Sequence, residues 1–306
     1  MIVKNEEDWI QQCLKSVQSI VSEIIVVDTG STDRTVELAT ACGAKIFHFE
    51  WCDDFAAARN FSISHATGDW ILILDADELI APRDLPEFQI LTANRTICTE
   101  FMQRHYSDDH RLSDFTPVHG EFPEYEKGQV GFFESNCCRL FPNREKLEYR
   151  GKVHELVEHS IQDQGRFKMR RANARLHHFG HTTAVKKKKN KASLYRPLGE
   201  EKTKIAPTDW KNFFELGVEY NCNGKYQEAA KALVRSLELN PTYLDTWVNL
   251  GYVFCQMEHY RQAIEALGHA LKLDPNAAEA FAISVSCTCG SEIFRKPNRC
   301  SQEQCS

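Results

Sequence analysis

The sequence lacks a long apolar segment, since no hydrophobic run approaches the length needed to span a bilayer. Its first ten residues, MIVKNEEDWI, carry acidic side chains where a secretory signal needs basic and then apolar ones. It also lacks an excess of basic residues, because the formal net charge is -6. Phosphate backbones require a basic surface, so nucleic acid is not expected as the main partner. These absences predict a cytoplasmic protein without a transmembrane segment.

Cysteine is plentiful, with 12 in the chain, but the spacing of a structural zinc site is missing from the C-terminal group. A Cys-x-Cys pair followed by two wide gaps forms this group, which comprises Cys287, Cys289, Cys300 and Cys305. We therefore expect an atypical or disordered tail rather than a metal site. Because no export signal is present, the remaining cysteines are expected to be reduced, half-buried thiols.

Residues 1–80 alternate between the patterns of buried strands and of helices. The run 24–27, IIVV, is continuous and β-branched, which is typical of a strand buried on both faces of a parallel sheet. Turn-forming residues end this strand. The pattern then predicts a helix over 34–42, a strand over 46–49, a helix over 54–66 and a strand over 70–74. This rhythm predicts an open, mostly parallel α/β sheet with ligands at the carboxyl ends of its strands.

Acidic residues follow two of these strands. Asp28 comes directly after the first, and the second is followed by Asp75, Asp77 and Glu78. We expect the two strands to be neighbours, so that their carboxylates lie in one crevice. Carboxylates this close repel one another unless a cation or strong donors neutralise them, and Asp-x-Asp supplies oxygen ligands for Mg²⁺ or Mn²⁺. The alternative is a helix N-cap at Asp77 or Glu78.

The C-terminal third contains an internal repeat. Pro241 and Pro275 lie 34 residues apart, and the same interval relates Leu216 to Leu250, Gly217 to Gly251, Ala229 to Ala263 and Leu233 to Leu267. This period resembles the tetratricopeptide repeat (TPR), a pair of helices packed closely through small residues. Two full units are visible, whereas such arrays need about three to bury a continuous face. We therefore expect the repeats to stack on the preceding domain, or residues 278–295 to form an incomplete cap.

Three linked segments of the N-terminal region carry a second resemblance: MIVKNEE, IIVVDTGSTDRT and FAAARNFSISHATGDWILILDADE. In this order they resemble the catalytic core of family 2 glycosyltransferases, which have the GT-A fold. The similarity is greatest to the subgroup with C-terminal TPR repeats, which includes the peptide S-glycosyltransferases of glycocin biosynthesis. The resemblance is dense over residues 1–80 and thinner as far as residue 182.

The resemblance and the repeat together imply four segments. They are a GT-A catalytic domain over 1–185, a basic helical linker over 186–206, two TPR repeats over 207–277 and an atypical cysteine-rich tail over 278–306. The family core begins several apolar residues before the position of Met1, so its central first strand is reduced here to three residues. We therefore expect the sequence to lack its true N-terminus.

The resemblance also assigns roles on the donor side of the site. It implies that Asp28 accepts a hydrogen bond from the nucleobase, and that Arg59 lies near the base or the diphosphate. Asp75 is implied near the ribose or the metal, and Asp77 as the principal metal ligand. Glu6 is a further candidate for the nucleotide site. The alternatives are a surface arginine on a helix for Arg59 and a stabilising acid in a first helical turn for Glu6.

Two motifs further along, CRLF at 138–141 and GKVHE at 151–155, resemble the acceptor side of the subgroup. Glu155, in GKVHE, is the candidate for the general base, and its alternative is a salt bridge with Lys152 or Arg150. The segment HHFGH resembles the family's histidine-x-glycine-tyrosine element, with His181 where tyrosine is usual. His178 aligns with the family histidine. The resemblance implies that it is a third metal ligand, and the alternative is a structural histidine.

These assignments imply a metal-dependent, inverting glycosyltransferase. With Mg²⁺ or Mn²⁺ it would move a sugar from a UDP-sugar donor to a hydroxyl or thiol of a peptide, protein or glycan. The TPR segment would dock the acceptor or a partner protein.

Two other classes of protein remain compatible with the sequence. One is a non-catalytic TPR adaptor with a degenerate nucleotide-sugar domain, which the shortened first strand favours and the intact acidic motifs oppose. The other is a nucleotidylyltransferase, but residues 4–6 lack the glycines of its phosphate loop.

Overall fold

A computed structural model describes residues 1–108, 115–143, 145–153, 155–182, 185 and 192–295. The chain divides into two compact units, Met1–Asn190 and Lys191–Ser306. The run of four lysines at 186–189, His154, Cys300 and Cys305 lie outside the described residues.

The first unit begins with three parallel strands in the order β1-β2-β3, which are Ile2–Val3, Ile25–Asp28 and Lys45–His48. Val26 and Val27 are wholly buried, which explains the apolar run. Three helices accompany these strands: α1, Ile10–Val17; α2, Thr35–Ala41; and α3, Phe55–Ser64. Asp54 caps α3, because its side chain accepts a hydrogen bond from the backbone N–H of Ala57 at 2.8 Å. The predicted alternation of strands and helices is present.

A second sheet has the strand order β4-β8-β6-β9-β5, and β7 pairs with β8. Its strands are β4, Trp70–Leu72; β5, Glu78–Ile80; β6, Ile97–Ser107; β7, Thr116–Pro117; β8, Gly131–Pro142; and β9, Lys168–His178. The long strand β6 runs antiparallel to β8 and parallel to β9. This sheet is therefore mixed.

The α/β class is confirmed, but the expectation that the strands before Asp28 and Asp75 are neighbours was wrong. Among the described strands, β4 pairs with β8 in antiparallel fashion, and β2 lies between β1 and β3. An apolar run predicts burial of a strand without specifying which strand will satisfy its backbone hydrogen bonds. The mostly parallel arrangement holds for the first sheet only.

Shorter helices complete the first unit: a 3₁₀ helix, Pro82–Glu87; α4, Phe88–Leu91; α5, Pro123–Glu126; and α6, Glu158–Gln164. The largest core cluster joins the mixed sheet to α1 and α4, and it includes Phe88, Phe101, Tyr106, Leu140, Leu176 and Phe179. Both the acidic turn after β4 and the end of β9 therefore rest on a packed apolar base.

The second unit consists of helices: α7, Ala192–Ile205; α8, Trp210–Cys222; α9, Tyr226–Leu239; α10, Leu244–Gln256; α11, Tyr260–Leu273; and α12, Ala278–Arg295. The 34-residue repeat corresponds to the pairs α8–α9 and α10–α11. Residues 278–295, which the sequence left as a tail or an incomplete cap, form a helix whose Ala280 and Cys287 are buried. None of the described helices combines the length and apolarity needed to cross a membrane.

Gly217 and Gly251 explain the small residue in each repeat. A Cβ at Gly251 would lie 2.5 Å from Cγ of Leu267, and one at Gly217 would lie 2.6 Å from Cγ of Leu233. Each leucine of the second helix therefore packs directly against the backbone of the first. A residue larger than glycine would force the two helices apart.

Gly251→Ala should destabilise the chain by about 1–3 kcal/mol through overpacking. Gly268→Ala is the matched control in α11, because a Cβ there meets nothing within 4 Å and alanine favours a helix by about 0.5–1 kcal/mol. Urea unfolding followed by circular dichroism at 222 nm measures both changes. Equal stability of the two variants would contradict the close packing of α10 on α11.

Candidate functional site

Asp28 lies at the carboxyl end of β2 and is 5% exposed. Its carboxylate accepts hydrogen bonds from the backbone N–H groups of Gly30 at 3.2 Å and Ser31 at 3.0 Å. Gly30 has φ of 106°, a backbone conformation that favours glycine. His48, at the end of β3, brings Nδ1 within 3.5 Å of the Asp28 carboxylate. The turn therefore fixes the carboxylate at the strand end, with a titratable imidazole beside it.

The acidic segment Asp75–Glu78 forms a tight turn between β4 and β5. The backbone N–H of Glu78 donates to the carbonyl of Asp75 at 3.0 Å, and the backbone N–H of Asp75 donates to Oε2 of Glu78 at 2.8 Å. Glu78 begins β5 rather than a helix, so the alternative of a helix N-cap at Asp77 or Glu78 was wrong. The turn separates the three carboxylates into different surroundings.

Two buried arginines neutralise this turn. Nη2 of Arg139 lies 3.0 Å from Asp75 and 2.6 Å from Glu78, while Nη2 of Arg59 lies 3.1 Å from Asp75 and 2.7 Å from Glu155. Burial alone would raise the pKa of Asp75, but the charges of Arg139 and Arg59 outweigh it and hold that pKa well below its usual range. Arg59 is 5% exposed, so the alternative of a surface arginine was wrong. Arg139 belongs to a motif noted in the sequence, but its pairing with Asp75 was not foreseen.

Glu78 is the carboxylate of this turn that faces the interior. It is fully buried, and Nε2 of Gln103 donates to its Oε1. Burial is the largest influence and raises the pKa of Glu78 to about 7, against the opposing charge of Arg139. Asp75 keeps 35% of its side chain exposed. The turn thus presents Asp75 outward and uses Glu78 to hold Arg139.

Asp77 contacts the end of β9. Its backbone carbonyl accepts from the N–H of Phe179 at 3.1 Å, and its Oδ1 lies 3.3 Å from Nε2 of His178. A Cβ at Gly180 would lie 2.4 Å from Oδ2 of Asp77 and 2.7 Å from Nε2 of His178. The absence of a side chain at Gly180 therefore leaves the carboxylate and the imidazole in a shared cradle. A carboxylate and an imidazole in this arrangement suit a divalent cation.

His178 also faces two other histidines. The register of β6 with β9 sets His105 opposite His178, and their Nδ1 atoms are 2.7 Å apart. His181 follows on the same side, and one ligand atom from each of the three rings lies within 4.8 Å of the others. Burial lowers the pKa of His105 to about 2, and the neighbouring His178 and His181 act in the same direction. No motif marked His105, because strand pairing alone brings it to this position.

Two candidates remain, Glu155 and Glu6. Oε1 of Glu155 accepts from Nε of Arg59 at 2.9 Å, and the Glu155 side chain is 11% exposed. Arg150 pairs instead with Glu148 and Asp163, so the alternative salt bridge between Glu155 and Arg150 was wrong.

Glu6 precedes α1 rather than lying in its first turn. Its backbone N–H donates to Oγ1 of Thr35 at 2.7 Å, and its carbonyl accepts from the N–H of Ile10 at 2.9 Å. The alternative of a stabilising acid in a first helical turn is therefore wrong. These hydrogen bonds connect the start of α1 to α2.

Fold and site together define an α/β domain with an acidic turn at a strand end, followed by helical repeats. Residues 1–144 match the family described as Glycosyl transferase family 2, and residues 223–284 match the family described as Tetratricopeptide repeat. The N-terminal half of the chain is therefore similar to family 2 glycosyltransferases, and the C-terminal part is similar to TPR proteins.

Similar proteins come from several bacteria. A TPR repeat-containing protein of Synechococcus elongatus is 44% identical over 161 residues, which cover 53% of this chain and 35% of that protein. The SPbeta prophage-derived glycosyltransferase SunS of Bacillus subtilis is 28% identical over 242 residues, covering 78% and 52%. An uncharacterized glycosyltransferase of Rickettsia felis is 38% identical over 94 residues, covering 31% and 33%. The chain thus spans about half the length of SunS and about a third of the other two.

Replacing Arg139 tests the neutralisation of the acidic turn. Arg139→Met should destabilise the chain by about 3–5 kcal/mol, because Asp75 and Glu78 lose their shared buried cation. Adding Glu78→Gln should recover part of this loss by removing one of the two uncompensated charges. Unfolding in urea, followed by tryptophan fluorescence, measures the effect.

Arg166→Met is the matched control. The Arg166 side chain is 56% exposed, and its pair with Glu145 lies at the surface, where such pairs contribute about 0–1 kcal/mol. If Arg139→Met is no more disruptive than Arg166→Met, the turn does not depend on Arg139.

Proposed function

We propose that this chain is a metal-dependent, inverting glycosyltransferase that moves a sugar from a UDP-sugar to a hydroxyl or thiol. The observation that carries the proposal is the cradle in which Asp77 and His178 face each other beneath Gly180, in the same turn as the partly exposed carboxylate of Asp75. Two aspartate carboxylates with an imidazole form a ligand set for Mg²⁺ or Mn²⁺. The family 2 match over residues 1–144 supports the same chemistry.

On the donor side, we assign the nucleobase to Asp28. Its carboxylate is held by two backbone N–H groups at the end of β2, so it is oriented before any ligand arrives. We assign the diphosphate to Arg59, because its buried Nη1 has no hydrogen-bond partner among the described residues. A buried donor without a partner is unfavourable, and a phosphate oxygen would satisfy it. Glu6 is retained as a candidate for the edge of the nucleotide site.

For the cation, Asp77 is the principal proposed ligand, and Asp75 and His178 are the other proposed protein ligands. When bound, Mg²⁺ or Mn²⁺ would offset the negative charge that develops on the departing UDP. Arg139 and Arg59 keep Asp75 ionised, so it can serve without a change of protonation. Gly180 leaves the space that the ligand side chains need.

For the acceptor, we propose Glu155 as the base. It would take the proton from the acceptor O–H or S–H while the freed electron pair forms a bond to the anomeric carbon, and the bond from that carbon to UDP breaks with inversion. In the structure Glu155 is engaged by Arg59. Movement of Arg59 toward the diphosphate would free Oε1 of Glu155, so donor binding would prepare the base.

The TPR repeats suggest the class of acceptor. Helical repeats present extended surfaces on which peptides and proteins bind. We propose a peptide or protein acceptor, with a glycan as the alternative, and a partner protein as a second use of the repeats. The combination of a family 2 domain with TPR repeats is what supports this assignment.

A non-catalytic adaptor remains the second candidate. It is favoured by the pairing of Asp75 with Arg59 and Arg139 and of Asp77 with His178, because the acidic turn is neutralised without a cation. Against it, the buried Nη1 of Arg59 has no hydrogen-bond partner among the described residues, which a purely structural arginine would not need. The two candidates differ in whether a UDP-sugar is hydrolysed.

Asp77→Ala should abolish the Mn²⁺-dependent release of UDP from UDP-glucose or UDP-N-acetylglucosamine in the absence of acceptor. The loss of a principal ligand removes several kcal/mol of stabilisation, which corresponds to at least about a 100-fold fall in rate. Chromatography of released UDP measures the rate, and circular dichroism checks the fold. Asp69→Ala is the control, because that carboxylate is 83% exposed and pairs at the surface with Arg95.

Unchanged hydrolysis in Asp77→Ala would refute the metal assignment. A wild-type chain that is stabilised against heat by UDP-sugar and Mn²⁺, yet releases no UDP, would favour the adaptor, because ligand binding raises the melting temperature by mass action without turnover.

A further inference from the structure

Three histidine rings surround a common point at the end of the mixed sheet. The ring centroids of His105 and His178 are 4.9 Å apart, those of His105 and His181 are 4.9 Å apart, and those of His178 and His181 are 5.1 Å apart. The rings lie at 73° to 77° to one another. They therefore form an open triangle rather than a stack.

The outer nitrogens of two of these rings have fixed partners. Nε2 of His105 lies 2.8 Å from Oγ of Ser135, and Nε2 of His178 lies 3.3 Å from Oδ1 of Asp77. Histidines that bind metals commonly donate their second N–H to a carboxylate or another acceptor, which fixes the tautomer. When both Nε2 atoms carry the proton, the two Nδ1 lone pairs face each other at 2.7 Å. That arrangement requires a cation between or beside them.

Without a cation, the same atoms can be satisfied by one change of tautomer. The hydroxyl of Ser135 would donate to Nε2 of His105, and Nδ1–H of His105 would donate to Nδ1 of His178. The cluster thus has a closed form with a shared proton and an open form that presents lone pairs. Bonds of about 2.0–2.1 Å to a tetrahedral Zn²⁺ place ligand nitrogens roughly 3.3 Å apart, so a small separation of the rings converts one form to the other.

We propose that His105, His178 and His181 form a nitrogen-rich binding site for a divalent transition-metal ion of the Zn²⁺ class. Three imidazole ligands select such ions over Mg²⁺, which prefers oxygen. Phe133 stacks on His105 with ring centroids 4.5 Å apart and meets the edge of His181 at 5.1 Å, so one side of the site is apolar. An apolar wall limits water access and lowers the local dielectric around the cluster.

This site differs from the proposed cation site for the donor, although both involve His178. The transition-metal ion would use Nδ1 of His178, whereas Asp77 lies on the Nε2 side. A neutral imidazole coordinates through one nitrogen, so filling the new site leaves Nε2–H donating to Asp77. A transition-metal ion would then hold the Asp77 carboxylate in place and remove His178 from the ligands of Mg²⁺ or Mn²⁺. The inference does not require that the chain transfer sugar.

The test uses the full chain without a polyhistidine tag and Co²⁺ as a spectroscopic probe. Visible d–d absorption should appear on titration and saturate at one ion per chain, with the high intensity of a tetrahedral, nitrogen-containing site. Zn²⁺ should displace Co²⁺ at equal concentration, whereas a large excess of Mg²⁺ should not.

Two variants and one control locate the ion. His105→Gln and His181→Tyr should each weaken Co²⁺ binding by at least about tenfold, and tyrosine keeps an aromatic ring against Phe133. His159→Gln, at an exposed position on α6, should bind Co²⁺ like the wild type. Thermal melting without metal shows whether each variant folds, and the half-buried His181 provides a test even if loss of the buried His105 unfolds the chain.

Equal Co²⁺ affinity in the wild type and His181→Tyr, displacement of Co²⁺ by Mg²⁺, or no binding at all would overturn the proposal. Hydrolysis of UDP-sugar with Mg²⁺ alone is measured separately on the same proteins. If hydrolysis is absent while Co²⁺ binding depends on His105 and His181, the proposed function fails and this site stands. If hydrolysis is present but Co²⁺ binding is unaffected by the substitutions, the three-histidine site is refuted and the proposed function stands.

Discussion

The close packing of carboxylates after β4 depends on two buried guanidinium groups. Arg139 and Arg59 both contact Asp75, and each also reaches a second acid. Without these cations, the desolvated carboxylates would be neutralised by protonation or would separate. The arginines come from α3 and β8, so one charge network joins the helix that follows the parallel sheet to the central strands of the mixed sheet. The acidic turn is therefore a product of the whole first unit.

The same network places the three carboxylates of the turn in different surroundings. Glu78 points inward and receives Arg139 and Gln103, whereas Asp75 stays partly exposed and Asp77 faces His178. One carboxylate thus anchors the turn and the other two remain able to meet a ligand. The three acids are neighbours in the sequence, but their burial and the charges beside them differ over a few ångströms. Each side chain therefore makes different contacts. The two hydrogen bonds between Asp75 and Glu78, one to a backbone carbonyl and one to the Glu78 carboxylate, keep this division fixed.

The second unit is held together by contacts between residues that are close in sequence. Its helices pack where a glycine backbone meets a leucine, at the same place in each repeat. Such contacts are local, since each pair lies within one repeat, and the sequence period reveals them directly. The contacts of the site in the first unit are distant in sequence, because they join Arg59 to Glu155 and His105 to His178.

Sequence alone determined the strand and helix alternation of residues 1–80, the 34-residue repeat and the position of Asp28, Asp75 and Asp77 after strands, because hydrophobic periodicity and turn residues are local properties. The tertiary structure decided that β4 pairs with β8, that Arg139 neutralises the turn, and that His105 meets His178. Strand partners are chosen by packing over long sequence separations, and no local pattern encodes them. For that reason a histidine outside every motif could join the site without any signal in the sequence.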